Sequence, residues 1–468
     1  MPAATRGLSA GPALAQTGFG LQCGPARCTS GFDDTRTLHN HDSCPGAEAA
    51  PVLNAAAASL ATTLLVLIGP VAYLAPMGLT PLLVLAALVS LIAATPALRT
   101  AEPGSARRFL RAGIAAWPLL IVGLASVAWS ISPPASLYKT GQLVVLIGLA
   151  AWLVPAYAGR AAADRPRLLA TVAWGFLVAA VVVLADLAFG GMVTGWARPV
   201  LDSALYVSYS RGAAVHAIFG LPLGLGLWRF GRRPLAMATL VAALMPLVLD
   251  QVSAQLALIV TALTVVTVLA VPAARWLLLA AQVAMIAAVP LVLPYQDLDR
   301  LCPLIDTKAS VVHRVMIWNF ALERWAERPL AGWGLATARE VPGGDAYADF
   351  VSPCGREVKT LESGRLDLPQ LLPLHTHNAA VQVWLELGVV GALALIWLLV
   401  RLAGGAFRRV RDRAGQAAVA GLAAASFSVA VVSFGAWQSW WWSAVILAMA
   451  TIGAAVYDSA GKPSGGAR

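Results

Sequence analysis

Long apolar stretches alternate with short polar breaks along this chain, and the apolar runs have the length that crosses a bilayer. A spanning helix needs about 20 apolar residues. Twelve such runs are present, at about 54–74, 77–95, 112–130, 141–158, 168–188, 212–228, 234–249, 252–271, 276–294, 378–400, 415–434 and 437–457. Only Asp250 and Gln251 part the seventh run from the eighth, so those two runs could be miscounted. The breaks differ in charge. With the N-terminus inside, the short inner loops hold sixteen arginines, Arg99, Arg160, Arg229, Arg275 and Arg408 among them. The short outer loops hold only Lys139, Arg198 and Arg211. A positive-inside bias of that size places both termini in the cytoplasm.

One connection is long. Residues 295–377 face outside in this scheme and carry 20 of the chain's 56 charged residues. So long and charged a segment is more than a linker, and long structured loops carry function. Within it Val311, Val315, Trp318, Leu322 and Trp325 recur at helical spacing, with Arg314, Glu323, Arg324 and Glu327 off that stripe. This predicts an amphipathic helix on the outer membrane surface or against the bundle, ended by Pro329. The expected organisation is a disordered cytoplasmic tail (1–53), transmembrane helices one to nine (54–294), a periplasmic loop with an amphipathic helix (295–377), helices ten to twelve (378–457) and a short cytoplasmic tail (458–468). The first apolar run begins only near residue 52 and is too long for the core of a signal peptide.

Composition agrees with the pattern. Apolar residues make up 59% and charged residues 12% of the 468-residue chain, the latter about half the share usual in soluble proteins. Mean hydropathy is +0.74. A soluble enzyme and a disordered chain are excluded. The net charge of +10 does not point to nucleic acid, because its arginines fall in the inner loops. The fold class is an all-α polytopic membrane protein with about 12 transmembrane helices.

Few polar groups are left to carry chemistry. The spans hold two carboxylates, Asp186 and Glu386, a poor endowment for an ion-coupled transporter. Asp186 lies near the outer end of its helix and could reach only the interface. In the tail, Cys23, Cys28, His39, His41 and Cys44 match no common zinc spacing, so an unstructured tail is the plainer reading. Cys302 and Cys354 share the outer loop and could pair in an oxidising compartment. Asp297 and Asp299 could hold a divalent cation, although a solvated loop start is commoner. Trp437, Trp440, Trp441 and Trp442 read either as an interfacial belt or as a platform for sugar rings. The sharpest feature is His375-Thr376-His377-Asn378 at the start of the tenth helix. A helix N-terminus favours an anion, and histidine can take a proton from a hydroxyl. The alternative is that Asn378 simply caps the helix and the histidines are solvated. Arg211 and Arg314 both fall on the outer side, which the positive-inside bias disfavours, and arginine suits bidentate phosphate contacts.

With these residues in place, the sequence resembles the O-antigen ligase and O-antigen polymerase superfamily of bacterial inner-membrane glycosyltransferases. His377-Asn378, nine residues, then Gly388-x-x-Gly391 is similar to that family's histidine motif, though Ala392 and Leu393 stand where threonines often follow. Trp129-Ser130-Ile131-Ser132-Pro133 with Ser136 and Lys139 resembles its first outer-loop signature. Arg314-x3-Trp318 through Pro329-Leu330-x-Gly332-Trp333-Gly334 resembles its long-loop motif, and Phe434-Gly435-x-Trp437-Gln438-x-Trp440-Trp441 its last-loop motif.

The resemblance implies a GT-C-like fold and transfer of a glycan from undecaprenyl diphosphate to a hydroxyl of lipid A–core at the periplasmic face of the inner membrane. A polymerase would use the same donor and lengthen another lipid-linked chain. A lipid-linked glycan transporter of the major-facilitator kind would place its long central loop inside, between helices six and seven, where this chain has only residues 229–233. By the resemblance His377, Arg314 and Arg211 are catalytic, and Asn378, His375, Lys139, Trp437 and Gln438 bind substrate. It implies no metal, no cofactor and inversion at the anomeric carbon.

Overall fold

The structure is a computed structural model that describes residues 49–99, 113–197, 209–249, 251–292, 299–364 and 366–456. The cysteine- and histidine-bearing tail, Asp297, Arg107, Arg198 and the C-terminal tail lie outside the described residues. So does Asp250, at the break between the seventh and eighth runs.

The described chain is helical. In order come α1 (Ala49–Thr63), α2 (Ile68–Leu74), α3 (Leu79–Arg99), α4 (Trp117–Ala125), α5 (Pro133–Ala158), α6 (Arg165–Ala188), α7 (Met192–Ala197) and α8 (Ser210–Arg229). Then follow α9 (Arg233–Ala242), α10 (Met245–Val248), α11 (Val252–Ala270), α12 (Ala274–Val292), α13 (Ile305–Glu327), α14 (Ala379–Arg409), α15 (Arg413–Val432) and α16 (Ser439–Val456). Among the described residues the only β pairing is two isolated bridges, Tyr347–Gln370 and Thr360–Leu366.

Among the described residues all twelve apolar runs form helix, and nine helices are long and apolar enough to cross a membrane. The runs at 114–128 and 233–248 form shorter apolar helices. Helix α8 has 20 residues but is glycine-rich, and protein buries most of its side chains. Its neighbours stand where lipid would be, so it needs less apolar surface. Elsewhere large apolar side chains face outward, as on a lipid-facing wall: Val181 is 66% and Leu277 73% exposed. The protein is an all-α polytopic membrane protein.

The helix expected from residue 141 begins at Pro133, so Ser136 and Lys139 sit on its first turns rather than in a loop. Proline fits there because the first turn has no use for its missing N–H. Asp186 does not reach an interface: it is 1% exposed. Its carboxylate accepts from Val193 N (2.5 Å), Thr194 N (3.2 Å), Thr194 Oγ1 (2.5 Å) and the Tyr209 hydroxyl. It thereby ties α7 to the residue before α8.

The amphipathic helix is α13, and it packs on the bundle against α14. Its buried face runs through Val312, Val315, Phe320 and Leu322, whereas Val311 is exposed. A kink at Lys308 sets its first turn apart, and it ends at Glu327, just before Pro329. Cys302 and Cys354 form a disulfide that closes 52 residues of chain around it. A loop of that length stabilises the connection by about 4 kcal/mol in the chain-entropy account.

Candidate active site: a broken helix, a histidine pair and unpaired cations

Helix α14 is two helices joined at Gly388, whose backbone stands at φ 61°, ψ −156°. The break frees four backbone groups that an unbroken helix would pair: the carbonyls of Leu385 and Glu386 and the N–H groups of Val389 and Val390. The loop after α13 satisfies all four. Trp333 N donates to Leu385 O (3.1 Å) and Gly334 N to Glu386 O (2.8 Å). Val389 N donates to Pro329 O (3.0 Å) and Val390 N to Leu330 O (3.3 Å). A broken helix within a membrane needs such partners, because lipid offers none.

The approach is close enough to demand glycine on both sides. A Cβ on Gly388 would stand 2.4 Å from the Leu330 carbonyl carbon, and one on Gly332 2.4 Å from the Glu386 carbonyl carbon. The Trp129–Ser136 segment clasps the same loop from outside. Trp129 Nε1 donates to Ala331 O (3.0 Å), Ile131 N to Trp333 O (3.1 Å) and Ser136 Oγ to Leu335 O (2.7 Å). Three sequence motifs far apart in the chain are therefore one backbone assembly.

Glu386 locks that assembly, a role the sequence reading did not assign it. It is fully buried, and its carboxylate accepts four N–H groups. These are Ala336 N (2.5 Å), Ala338 N (3.2 Å), Gln382 Nε2 (2.8 Å) and Trp437 Nε1 (2.5 Å). Gln382 Oε1 in turn accepts from Ala436 N (2.8 Å). Glu386→Gln keeps the shape but turns an amide NH2 toward N–H donors. We expect a loss of about 1–3 kcal/mol in thermal or denaturant unfolding of the purified protein.

The histidine pair sits where α14 begins. Asn378 is its N-cap: its Oδ1 accepts from Ala380 N (3.0 Å) and Val381 N (3.2 Å), so the cap accounts for the side chain read as substrate-binding. The histidines are not solvated, for His375 is 9% exposed and His377 half-buried. His377 adopts a positive φ of 55°. That conformation is uncommon outside glycine but tolerated by His, and neighbours fix it. Trp318 Nε1 donates to Thr376 O (2.8 Å), and Thr376 Oγ1 donates to Asn378 O (2.6 Å).

Hydrogen bonding settles both tautomers. His377 Nδ1 lies 2.9 Å from Ser433 O, and a carbonyl can only accept, so Nδ1 carries the proton and the neutral ring keeps its lone pair on Nε2. His377 N donates to His375 Nδ1 (3.1 Å), which puts the His375 proton on Nε2. Burial, then the charges of His377, Arg339, Arg314 and Arg211, push His375 down to about 3. Burial also lowers His377; the bond to Ser433 opposes this and Arg314 reinforces it. Both rings are therefore neutral near pH 7, one presenting a base and the other a donor.

Of the other expected site residues, Arg211 is exposed at the start of α8, 6.0 Å from the Trp440 ring centroid. Arg314 is half-buried on α13, and burial lowers its pKa. Neither makes a salt bridge among the described residues. Trp437, Trp440 and Trp441 are 4%, 3% and 5% exposed, so they are neither an interfacial belt nor an open sugar platform. Trp440 and Trp441 pack in the main helical core. A cavity of about 240 Å³ opens beside His375, lined also by Lys139, Arg339, Gln382, Glu386, Trp437 and Gln438. Arg339 went unnoticed in the sequence because no periodic pattern marks it. Among the described residues no group of His, Cys, Asp and Glu is arranged to hold a metal ion.

Residues 200–396 match the O-antigen ligase family. A protein of Rickettsia prowazekii (strain Madrid E), named provisionally as a polysaccharide ligase, is 31% identical over 143 residues, 29% of this chain and 30% of that protein. Similarly named proteins of Rickettsia conorii (strain ATCC VR-613 / Malish 7) and Rickettsia typhi (strain ATCC VR-144 / Wilmington) are 26% and 28% identical over 140 and 142 residues. The first match covers 30% of this chain and 31% of that relative, the second 29% and 30%. The chain thus matches under a third of each relative's length. The Trp129–Lys139 and Phe434–Trp441 motifs fall outside the family match. Residues 200–396, the stretch that matches that family, carry Arg211, Arg314, the histidine pair and the Gly388 break.

Proposed function

We propose that the protein is an O-antigen ligase, moving a glycan from undecaprenyl diphosphate onto a hydroxyl of lipid A–core at the periplasmic face of the inner membrane. The observation that carries this reading is the neutral His377, its Nε2 free of the bond that holds Nδ1, in a histidine pair on which the charges of Arg211 and Arg314 act. In the proposed step His377 Nε2 takes the acceptor proton as the oxygen attacks the anomeric carbon. The bond to the lipid diphosphate breaks on the opposite face, and configuration inverts. Arg211 and Arg314 hold the diphosphate and meet the charge it gains on leaving, an effect worth about 3–4 kcal/mol per well-placed donor. Such preorganised charge could serve in place of a metal.

The Cys302–Cys354 disulfide supports the periplasmic side for the long connection, since disulfides persist in oxidising compartments. The arginine-rich short loops then face the cytoplasm with both termini. Lipopolysaccharide from a deletion strain, complemented with wild type or His377→Ala, tests the reading on a gel. We expect the ladder only with wild type, and long polymer accumulating on undecaprenyl diphosphate otherwise. Single repeat units still joined to core would mean a polymerase. Unchanged lipopolysaccharide would reject lipid A–core as the acceptor.

A further inference from the structure

We propose that the cavity beside His375 is an anion subsite for the acceptor, in which Lys139, Arg339, His375 and Gln438 recognise a phosphate carried near the hydroxyl to be glycosylated. This rests on the transfer reading above and adds the acceptor's chemistry to it. Each acceptor oxygen on the lining side chains already takes at least one N–H. Both Glu386 oxygens are filled by four N–H groups, Gln382 Oε1 accepts from Ala436 N, and Gln438 Oε1 accepts from Trp440 Nε1 (2.9 Å). What the side chains still offer are donors. Arg339 is exposed at the cavity and has no ion pair among the described residues. Lys139 Nζ bonds only uncharged oxygens, Gln142 Oε1 (2.7 Å) and Trp437 O (3.3 Å). His375 presents Nε2–H, because Nδ1 is occupied by His377 N. Gln438 has its amide NH2. A wall of donors with two cations, its one carboxylate already filled by N–H groups, suits an anion and disfavours a neutral sugar, which needs acceptors for its hydroxyls.

The same cavity is not where the donor's diphosphate is held. Arg211, Arg314 and His377 are absent from its lining. Arg314 acts on both histidines, and Arg339 and Arg211 act on His375.

Binding by the full-length protein in nanodiscs tests this without relying on turnover. The probes are lipid A–core with its phosphates, the same material after chemical dephosphorylation, and undecaprenyl diphosphate. Arg339→Gln, at an exposed position where folding is not at stake, should weaken the phosphorylated acceptor by about tenfold or more. It should leave the dephosphorylated acceptor and undecaprenyl diphosphate unchanged, and Lys139→Gln should act in the same direction. Equal effects on both forms of lipid A–core, no effect on either, or no binding by wild type would overturn the subsite. A loss confined to undecaprenyl diphosphate would reassign the cations to the donor. Charge-dependent binding by a wild type that transfers nothing would reject the transfer reading and leave the subsite standing.

Discussion

His377→Gln should lower glycan transfer by about 10²–10⁴-fold, the range a positioned general base supplies, while the protein still inserts and folds. The ring's Nδ1–H donates to Ser433 O, so the side chain is aimed by the loop before α16 as well as by its own positive φ. Glutamine can keep a bond to Ser433 but offers no base. The pH profile separates this role from a purely structural one. Burial and then the Arg314 charge hold His377 below the ordinary 6.5, against the opposing bond to Ser433. A base works only when deprotonated. A lowered pKa therefore keeps transfer constant as pH falls through about 6.5, with loss only at lower pH. Arg314→Gln removes one of the charges that lower His377, so its acid limb should move up in pH, whatever the variant loses in rate. Purified protein assayed from pH 5 to 8 reads both effects. A wild-type limb at or above 6.5, or full activity in His377→Gln, would remove His377 from the mechanism.

Much of this was legible in the sequence because bilayer thickness is a strict ruler. Every apolar run long enough to be noticed is a helix. Periodicity also found α13, though it placed Val311 on the buried face, since an apolar side chain near a kink has no fixed facing until the loop packs. The aromatic cluster was misjudged for a related reason. Tryptophan suits an interface and a core equally, and only the packing of α16 among α3, α5, α8 and α15 turns Trp440 and Trp441 inward. The histidines and Arg211 were placed correctly because helix starts are readable from caps and charge. Arg339 and the locking role of Glu386 were not readable. Each acts across a distance in sequence, Arg339 through the cavity wall and Glu386 through donors 48 to 51 residues away, two of them backbone N–H groups. Backbone donors carry no sequence signature.

Gly388→Ala should be among the most damaging small substitutions in the described chain. Two penalties combine at one atom. The residue's backbone, φ 61° and ψ −156°, lies in a region essentially reserved for glycine, which costs an L-residue about 1–3 kcal/mol. The new methyl would also stand 2.4 Å from Leu330 O and 2.6 Å from Pro329 O. Those are backbone atoms held by the very bonds that satisfy the helix break, so they cannot swing aside as a side chain could. Overpacking of this kind adds about 1–3 kcal/mol. Relief requires the 329–334 loop to lift away, which would strand the carbonyls of Leu385 and Glu386 and the N–H groups of Val389 and Val390. The expected result is a total loss of about 2–6 kcal/mol, read as a large fall in thermal stability in detergent and no measurable transfer. Ala392→Gly, one turn further along the same helix segment, is the control. It removes a methyl instead of adding one, and should cost only about 1 kcal/mol of helix propensity. If Gly388→Ala were no worse than that control, the interlock of loop and broken helix would not be what holds the site together.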